Sequence, residues 1–403
     1  MKIPVRINNV ELTEQKLSFT IEGTNKYGLD KSIINSIRRN ILTSIPTISF
    51  RTEPTSDLIM KRNVSSLHNE FLFHRIAMMP LYIDPINYLK NYLFYLNVES
   101  SSDEPIKSVY ANDFNIYPLN ENVDVDTLND TIQFDNYQMD NPLSDEEKDK
   151  ILRPFVFKGI KHYCLLTELK ANNSIEVYGV PSVGYAYENA RWSPVSQIAY
   201  SFKKDKTLFK KIVEDEKKVK NIQPEEESKF EKELFIKDSE RYYLRDSSLE
   251  SKSYEFIIES LHFMNSKELF IYSCESLNKQ IGIFQSSLPS MFSGESIISI
   301  EKTKENVYSI FVHGYDDTIG NLYQSFISRY LIDEESVFSS IGYKKIHPLQ
   351  EIIVFYISFN QKNKLFTSSD SQKNNAILQL FDETSKELTK VFTSIIDISN
   401  NSL

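Results

Sequence analysis

Residues 30–42 read DKSIINSIRRNIL, and residues 316–328 read DDTIGNLYQSFIS. With Asp30 laid on Asp316, Ile33 falls on Ile319, Asn35 on Asn321, Ile37 on Tyr323 and Ile41 on Ile327. Each stretch follows a strand and a turn. KLSFTIE (16–22) alternates, with Leu17, Phe19 and Ile21 on one face, before a turn that holds Gly23, Asn25 and Gly28. VYSIFV (307–312) reads as a strand before the turn HGYDD, which contains Gly314. Asp30 can cap the first helix, and Asp316, Asp317 or Thr318 the second. Ile33, Ile34, Ile37 and Ile41 make one apolar stripe; Ile319, Leu322, Tyr323, Phe326, Ile327 and Tyr330 make the other. Pro46 marks the end of the first. Gly320 lies in the first turn of the second helix, where alanine would be better by about 1 kcal/mol. Its missing side chain either admits a close backbone approach or is tolerated near a helix end.

The same grammar extends outward. An amphipathic helix is predicted over 266–285, with Leu269 or Phe270, Cys274, Leu277, Ile281 and Phe284 at helical spacing. A second is predicted over 374–397, with Ile377, Leu380, Phe381, Leu388, Val391, Phe392 and Ile395. Each strand–turn–helix unit thus owns a later long helix, and apolar stripes of this kind have to pack against something. The chain reads as two related α+β units head to tail, joined by the serine-rich stretch 287–296 (SLPSMFSGES). Between them, 91–98 and 155–178 look strand-rich. Residues 121–150 read as an acidic surface loop, and 203–240 as a solvated helix or a connection rich in Lys and Glu.

Composition bounds the function. The 403 residues are 40% hydrophobic and 25% charged, long enough for two or three domains. A formal charge of −10 gives no global basic field for nucleic acid, so any work near DNA goes through partners. Two distant cysteines, Cys164 and Cys274, make neither a disulfide framework nor a zinc cluster. The start lacks a signal-peptide pattern, and no apolar run approaches the ~20 residues of a membrane span. The expectation is a soluble, intracellular protein.

No catalytic constellation stands out. The sequence has no phosphate-cradling loop, no dinucleotide fingerprint and no nucleophile elbow. His68 and His74 flank Glu70 at a spacing that suits neither a helical nor a finger metal site. Asp124 and Asp126 could hold a divalent cation, but a solvated loop is the simpler reading. Cys274 lies on an apolar stripe and reads as a buried thiol, as does Cys164. Trp192, the single tryptophan, reads as a core or interface anchor.

Several motifs, in order, resemble one family. LDKSIINSIRRNILTSIPTISF (29–50) resembles the opening helix of the alpha-like subunits of multisubunit DNA-directed RNA polymerases. SSLHNEFLFHRIAMMPLYID (65–84) and VPSVGYAYENARWSPVSQIAYSF (180–202) look like further segments of the larger alpha-like partner. HGYDDTIGNLYQSFI (313–327) and FSSIGYKKIHPLQEIIVFYIS (338–358) are similar to motifs of the smaller one. Asn69 stands where the family usually has aspartate, and Asn189 where it usually has histidine.

The resemblance implies an α+β fold. Two alpha-like dimerisation domains of antiparallel strands and helices would share one chain, with a mostly-β insert in the N-terminal half. The larger-like domain would be 1–46 plus 194–286, the insert 47–193, the linker 287–296 and the smaller-like domain 297–403. Such a fusion resembles the subunit of large cytoplasmic DNA viruses, which would place it in host cytoplasm and virion. It further implies a non-catalytic assembly platform for the largest and second-largest polymerase subunits and small bridging subunits. No cofactor and no metal are expected, because the insert holds only Cys164. Asn35, Arg38, Arg39, Asn321 and Asp317 would face partners. Ile33, Ile37, Ile41, Phe270, Leu277, Ile281, Leu322, Phe326, Phe381, Leu388 and Phe392 would build the intramolecular interface, with Trp192 as a structural anchor. The competing reading is a stand-alone interaction protein that reuses the fold.

Overall fold

The computed structural model describes residues 5–13, 15–24, 28–103, 105–120, 123, 132–238, 241–292, 297–304 and 307–403. Its α-helices, in chain order, are α1 (Lys31–Thr43), α2 (Asn69–Ala77), α3 (Asp145–Leu152), α4 (Lys206–Lys220), α5 (Glu227–Asp238), α6 (Ser266–Ser287), α7 (Asp317–Tyr330) and α8 (Asp370–Ser402). Helices and antiparallel sheets together make a mixed α+β chain. It divides into two compact units. One is formed by Met1–Ile41, Gln197–Ile258 and Ser266–Leu403; the other by Leu42–Ser196 with Glu259–Asn265.

The first unit holds two four-stranded sheets of one topology. In the first, the strands stand in the order Arg6–Leu12, Lys16–Glu22, Ser253–Ser260, Val195–Phe202. In the second the order is Ile298–Lys304, Val307–His313, Ile352–Phe359, Phe338–Lys345. Both therefore read 1-2-4-3 along their own sequence. In both, a helix follows the second strand (α1 or α7) and a long helix follows the fourth (α6 or α8). The second copy is uninterrupted. In the first, the chain leaves after α1 and returns at Val195, and α4 and α5 separate its third and fourth strands.

Local chemistry explains the match. Leu17, Phe19 and Ile21 are all 2% exposed or less, as strict alternation requires. Asp30 Oδ1 accepts from Ser32 N at 2.9 Å, and Asp316 Oδ1 accepts from Thr318 N at 2.9 Å, so both helices start on the same aspartate cap. The buried faces of α1 and α7 are the predicted stripes. A Cβ on Gly320 would lie 2.7 Å from Cδ2 of Tyr343, so the glycine admits an aromatic ring. The close approach is real, but the neighbour is a side chain and not backbone.

Several elements depart from expectation. Helix α8 begins at Asp370, ahead of the apolar periodicity, because Ser369 Oγ caps it at Gln372 N. Residues 203–240 form two helices, with Asp205 capping α4 through Thr207 N and Leu208 N. The acidic stretch read as a loop contains α3. There Ser144 and Glu147 form a reciprocal capping box, and three carboxylates occupy the first turn, where the helix dipole favours them. Asp124 and Asp126 lie outside the described residues, as do 293–296 of the linker.

The second unit is mostly β. Its four-stranded sheet runs Leu58–Asn63, Ser174–Gly179, Tyr92–Glu99, Asn115–Pro118. Two-stranded sheets pair Leu165–Lys170 with Ile106–Tyr110, Ser182–Gly184 with Thr47–Ser49, and Phe155–Phe157 with Ile160–His162. Phe94 stands edge-on to Phe50 at 5.3 Å and to Phe114 at 5.8 Å, in a core that includes Leu72 and Ile76 of α2.

Candidate functional site

The residues singled out by the repeat converge on a seam inside the first unit, where elements before residue 288 meet elements after 296. Helices α6 and α8 pack along it. Gln285 Nε2 donates to Asp382 Oδ1 at 2.7 Å, Asn278 Nδ2 to Thr393 Oγ1 at 3.4 Å, and Lys267 Nζ to the Asn400 carbonyl at 3.4 Å. Numbers fall on one helix as they rise on the other, so the two run antiparallel. Their buried faces carry Leu277, Ile281, Leu388 and Phe392, all fully buried.

One ring ties the seam together. Phe284 of α6 sits 5.7 Å from Tyr315, 4.7 Å from Tyr323 and 5.9 Å from Phe381, centroid to centroid. All three belong to the later copy. Phe355 closes the cluster 5.2 Å from Phe381. The Tyr323 hydroxyl shares a 2.8 Å hydrogen bond with Ser385 Oγ, so this buried phenol keeps a partner. Burial pushes its ionisation far up.

At the other end, the polar tail of α7 reaches the turn before α1. Ser325 Oγ donates to Asp30 Oδ2 at 2.7 Å, so one carboxylate caps α1 and binds α7. The Tyr330 hydroxyl donates to the Gly28 carbonyl at 2.7 Å. Arg329 Nη2 donates to Asp246 Oδ2 at 2.5 Å. That carboxylate also accepts from Gly28 N at 3.1 Å, Ser248 N at 2.9 Å and Glu250 N at 3.1 Å. The Asp246 side chain is 2% exposed and that of Arg329 16%. Removing one member of a pair so buried costs about 3–5 kcal/mol, because the other charge is stranded. A Cβ on Gly28 would lie 2.7 Å from Asp246 Oδ2. This polar node gave no signal in the sequence: its members lie on a turn, a loop and a helix end, without periodicity.

The other singled-out residues separate into groups. Ile33, Ile37 and Ile41 are fully buried, and α1 meets α6 through polar contacts as well. Asn40 Nδ2 donates to the Ser273 carbonyl at 3.1 Å, and Gln280 Nε2 donates to Asn40 Oδ1 at 3.1 Å. Phe270 packs on Phe19 and Phe256 of its own sheet, at 5.0 and 5.8 Å. Leu322 and Phe326 are buried on α7, with Phe326 4.9 Å from Tyr330. Arg38 and Arg39 are partly exposed, and Arg38 Nε donates to Asn35 Oδ1 at 3.1 Å, which fixes its direction. Asn321 is partly exposed and Asp317 exposed.

Trp192 belongs to the second unit and is 2% exposed. A Cβ on Gly184 would fall 2.3 Å from the indole, so the glycine lets the ring lie on the strand. The Arg51 guanidinium lies 4.8 Å from its centroid. Beside it is a cavity of about 540 Å³, whose lining includes Arg51, Arg191, Glu53 and Glu188. Its two cations face two carboxylates, with Arg51 paired to Glu188 at 3.3 Å. Asn189 Oδ1 accepts from Arg191 N and caps the turn beneath Trp192, a task that an amide can do. Asn69 Oδ1 accepts from Asn63 Nδ2 at 2.7 Å. Cys274 is buried, which pushes its thiol up, while Cys164 is exposed. Among the described residues, no three His, Cys, Asp or Glu gather as a metal set. No described helix is long and apolar enough to cross a membrane.

Fold and seam together define a class: an α+β chain with a repeated sheet topology, whose copies pack through long helices. Comparison with known proteins narrows it. No family model matches the chain. It is similar to the subunit RPAC1 of DNA-directed RNA polymerases I and III from Homo sapiens and Bos taurus, 29% identical over 80 residues in each. It is also similar to the DNA-directed RNA polymerase subunit Rpo3 of Methanobrevibacter smithii, 25% identical over 167 residues. The matches cover 20% of this chain and of each mammalian subunit, and 41% of this chain against 49% of the archaeal one. These similarities support an alpha-like subunit of an RNA polymerase.

Proposed function

We propose that the chain is an alpha-like assembly subunit of a multisubunit DNA-directed RNA polymerase, with a larger-like and a smaller-like dimerisation domain in one polypeptide. The larger-like domain is 1–46 plus 194–286, the insert 47–193, and the smaller-like domain 297–403. The observation that carries this reading is the shared 1-2-4-3 strand order of two sheets whose long helices pack antiparallel. A pairing ordinarily made between chains would then be made within one. The subunit's task is to dock the largest and second-largest subunits, and small bridging ones, without chemistry of its own.

The two copies offer different outer faces. Helix α1 carries Arg38 and Arg39, while α7 has Gln324 and Ser325 at those positions and Asp316 and Asp317 at its start. Ser325 is spent on Asp30. The guanidiniums are always charged and suit carboxylates in a bidentate fork. We assign Asn35, Arg38 and Arg39 to one large partner, and Asp317 and Asn321 to another.

Affinity purification of the native protein tests the proposal. The two largest polymerase subunits are expected to copurify. Arg38→Glu with Arg39→Glu is expected to lower the yield of one of them about tenfold, with the circular dichroism unchanged. A native preparation that lacks both large subunits overturns the assembly role. A double variant that assembles normally removes the assignment of the arginines alone.

A further inference from the structure

Away from the seam, the second unit carries a hairpin whose polarity is inverted. Phe155–Phe157 pairs with Ile160–His162 in the register Phe155↔His162, Val156↔Lys161, Phe157↔Ile160. Lys158 and Gly159 form the connection, both with positive φ (50° and 80°). Two such residues are what a tight type I′ hairpin turn needs to follow the twist of its strands. Directly opposed residues share a face of an antiparallel pair, and successive residues alternate. One face therefore holds Phe155, Phe157, Ile160 and His162, and the other Val156 and Lys161. Lys161 is bonded to Asp149 of α3, so the face with the charge is the one that turns toward α3. The apolar face is open: Phe155, Phe157 and Ile160 are 69%, 54% and 63% exposed.

That arrangement gains nothing in the isolated chain. A two-stranded hairpin is marginal in water unless something covers one face, and here the rings point to solvent while a lysine points inward. Exposed rings on a geometrically well-defined turn mark a contact surface. The charges around the face describe what covers it. The Lys158 ammonium lies 5.3 Å from the Phe157 centroid, at the tip. The first turn of α3 supplies Asp145 and Glu146, close enough to Lys161 to raise its pKa behind the direct bond from Asp149. A nucleic-acid strand would meet those carboxylates with its phosphates, which disfavours it.

We propose that this hairpin face docks a partner polypeptide, one that presents an apolar groove with a carboxylate beside the Lys158 turn and a cation beside the start of α3. Neither the surface nor its partner depends on the polymerase reading.

The test places p-benzoylphenylalanine at position 157 of the full-length protein, made in the cells that naturally contain it. After irradiation, the crosslinked peptide is sequenced by mass spectrometry. The expected product is a crosslink to another polypeptide, in a segment of apolar residues with Asp or Glu among them. Phe155→Ser and Lys158→Glu in the same background are each expected to lower its yield about tenfold. Because nothing in the chain covers these side chains, both variants should melt at the unaltered temperature. A crosslink to a second copy of the chain, to nucleic acid, or to nothing overturns the proposal. So does a yield that both variants leave intact, or a fall in melting temperature for Phe155→Ser, which would mean that the ring packs within its own chain.

Discussion

At the scale of single residues, small side chains decide more than their size suggests. Gly320 makes a sign test. By intrinsic helix propensity, Gly320→Ala would stabilise α7 by about 1 kcal/mol. Against this stands a contact of 2.7 Å from the new Cβ to the Tyr343 ring, with a second ring atom at 2.9 Å. Overpacking of this kind costs about 1–3 kcal/mol. The second term wins, and Gly320→Ala is expected to lower stability in urea by roughly 1 kcal/mol net. In a Tyr343→Ala background the same change should become neutral or favourable, since only the propensity is left. A variant that stabilises the chain with Tyr343 present would dispose of the steric account. The sequence marked Gly320 as odd but offered two readings, because a missing side chain says nothing of what fills its place. Arg329 and Asp246 were silent for a related reason. A buried ion pair between a helix end and a loop has no period, and each residue alone looks like ordinary surface charge.

At the scale of elements, hydrophobic periodicity found α1, α6, α7 and the body of α8, together with the strands that precede α1 and α7. It gave the buried face of each helix but not the neighbour: Phe270 and Phe284 lie on one stripe, yet one meets its own sheet and the other a cluster of the later copy. Helices α3, α4 and α5 were hidden by charge, although Ser144, Glu147 and Asp205 carried the capping chemistry that starts two of them. The rim of the α6–α8 pair titrates. The Asp382 carboxylate is held below its ordinary value of 3.8 by Lys386, 2.6 Å away, and then by Gln285. Its folded pKa being the lower one, its contribution is complete above the unfolded value and is lost as pH falls through the folded value. Melting temperatures followed from about pH 7 down to about pH 2 should decline below about pH 4, with a shallower decline for Asp382→Asn. Parallel curves for the two proteins would mean that the contact contributes nothing to the seam. Asparagine can still accept from Gln285, so the variant isolates the charge.

At the scale of the whole chain, the short repeat of thirteen residues stands for a repeat of topology. Both sheets of the first unit follow 1-2-4-3 with a helix after the second and fourth strands, a correspondence visible beforehand only as two capped helices with similar stripes. Sequence could not show that the copies meet, because a stripe at period 3.6 is satisfied by any apolar surface. The seam turns this into an expectation about covalent continuity. If α6 and α8 recognise each other by shape, the peptide link between the copies sets their effective concentration and not their geometry. Residues 1–292 and 293–403, expressed together as separate chains, should therefore purify as a one-to-one complex. Phe284 supplies the control. Its ring fills the space between Tyr315, Tyr323 and Phe381, and truncating a buried phenylalanine costs about 3–5 kcal/mol. In the split protein that loss falls on association, so Phe284→Ala should weaken the complex by at least about a hundredfold. The same substitution in the intact chain should lower the melting temperature and leave a monomer. Fragments that fold and stay apart would show that the seam only follows from the link, and would remove the main support for a pairing made in cis. Fragments that associate with Phe284→Ala unimpaired would move the recognition to the polar node at Asp246 and Arg329.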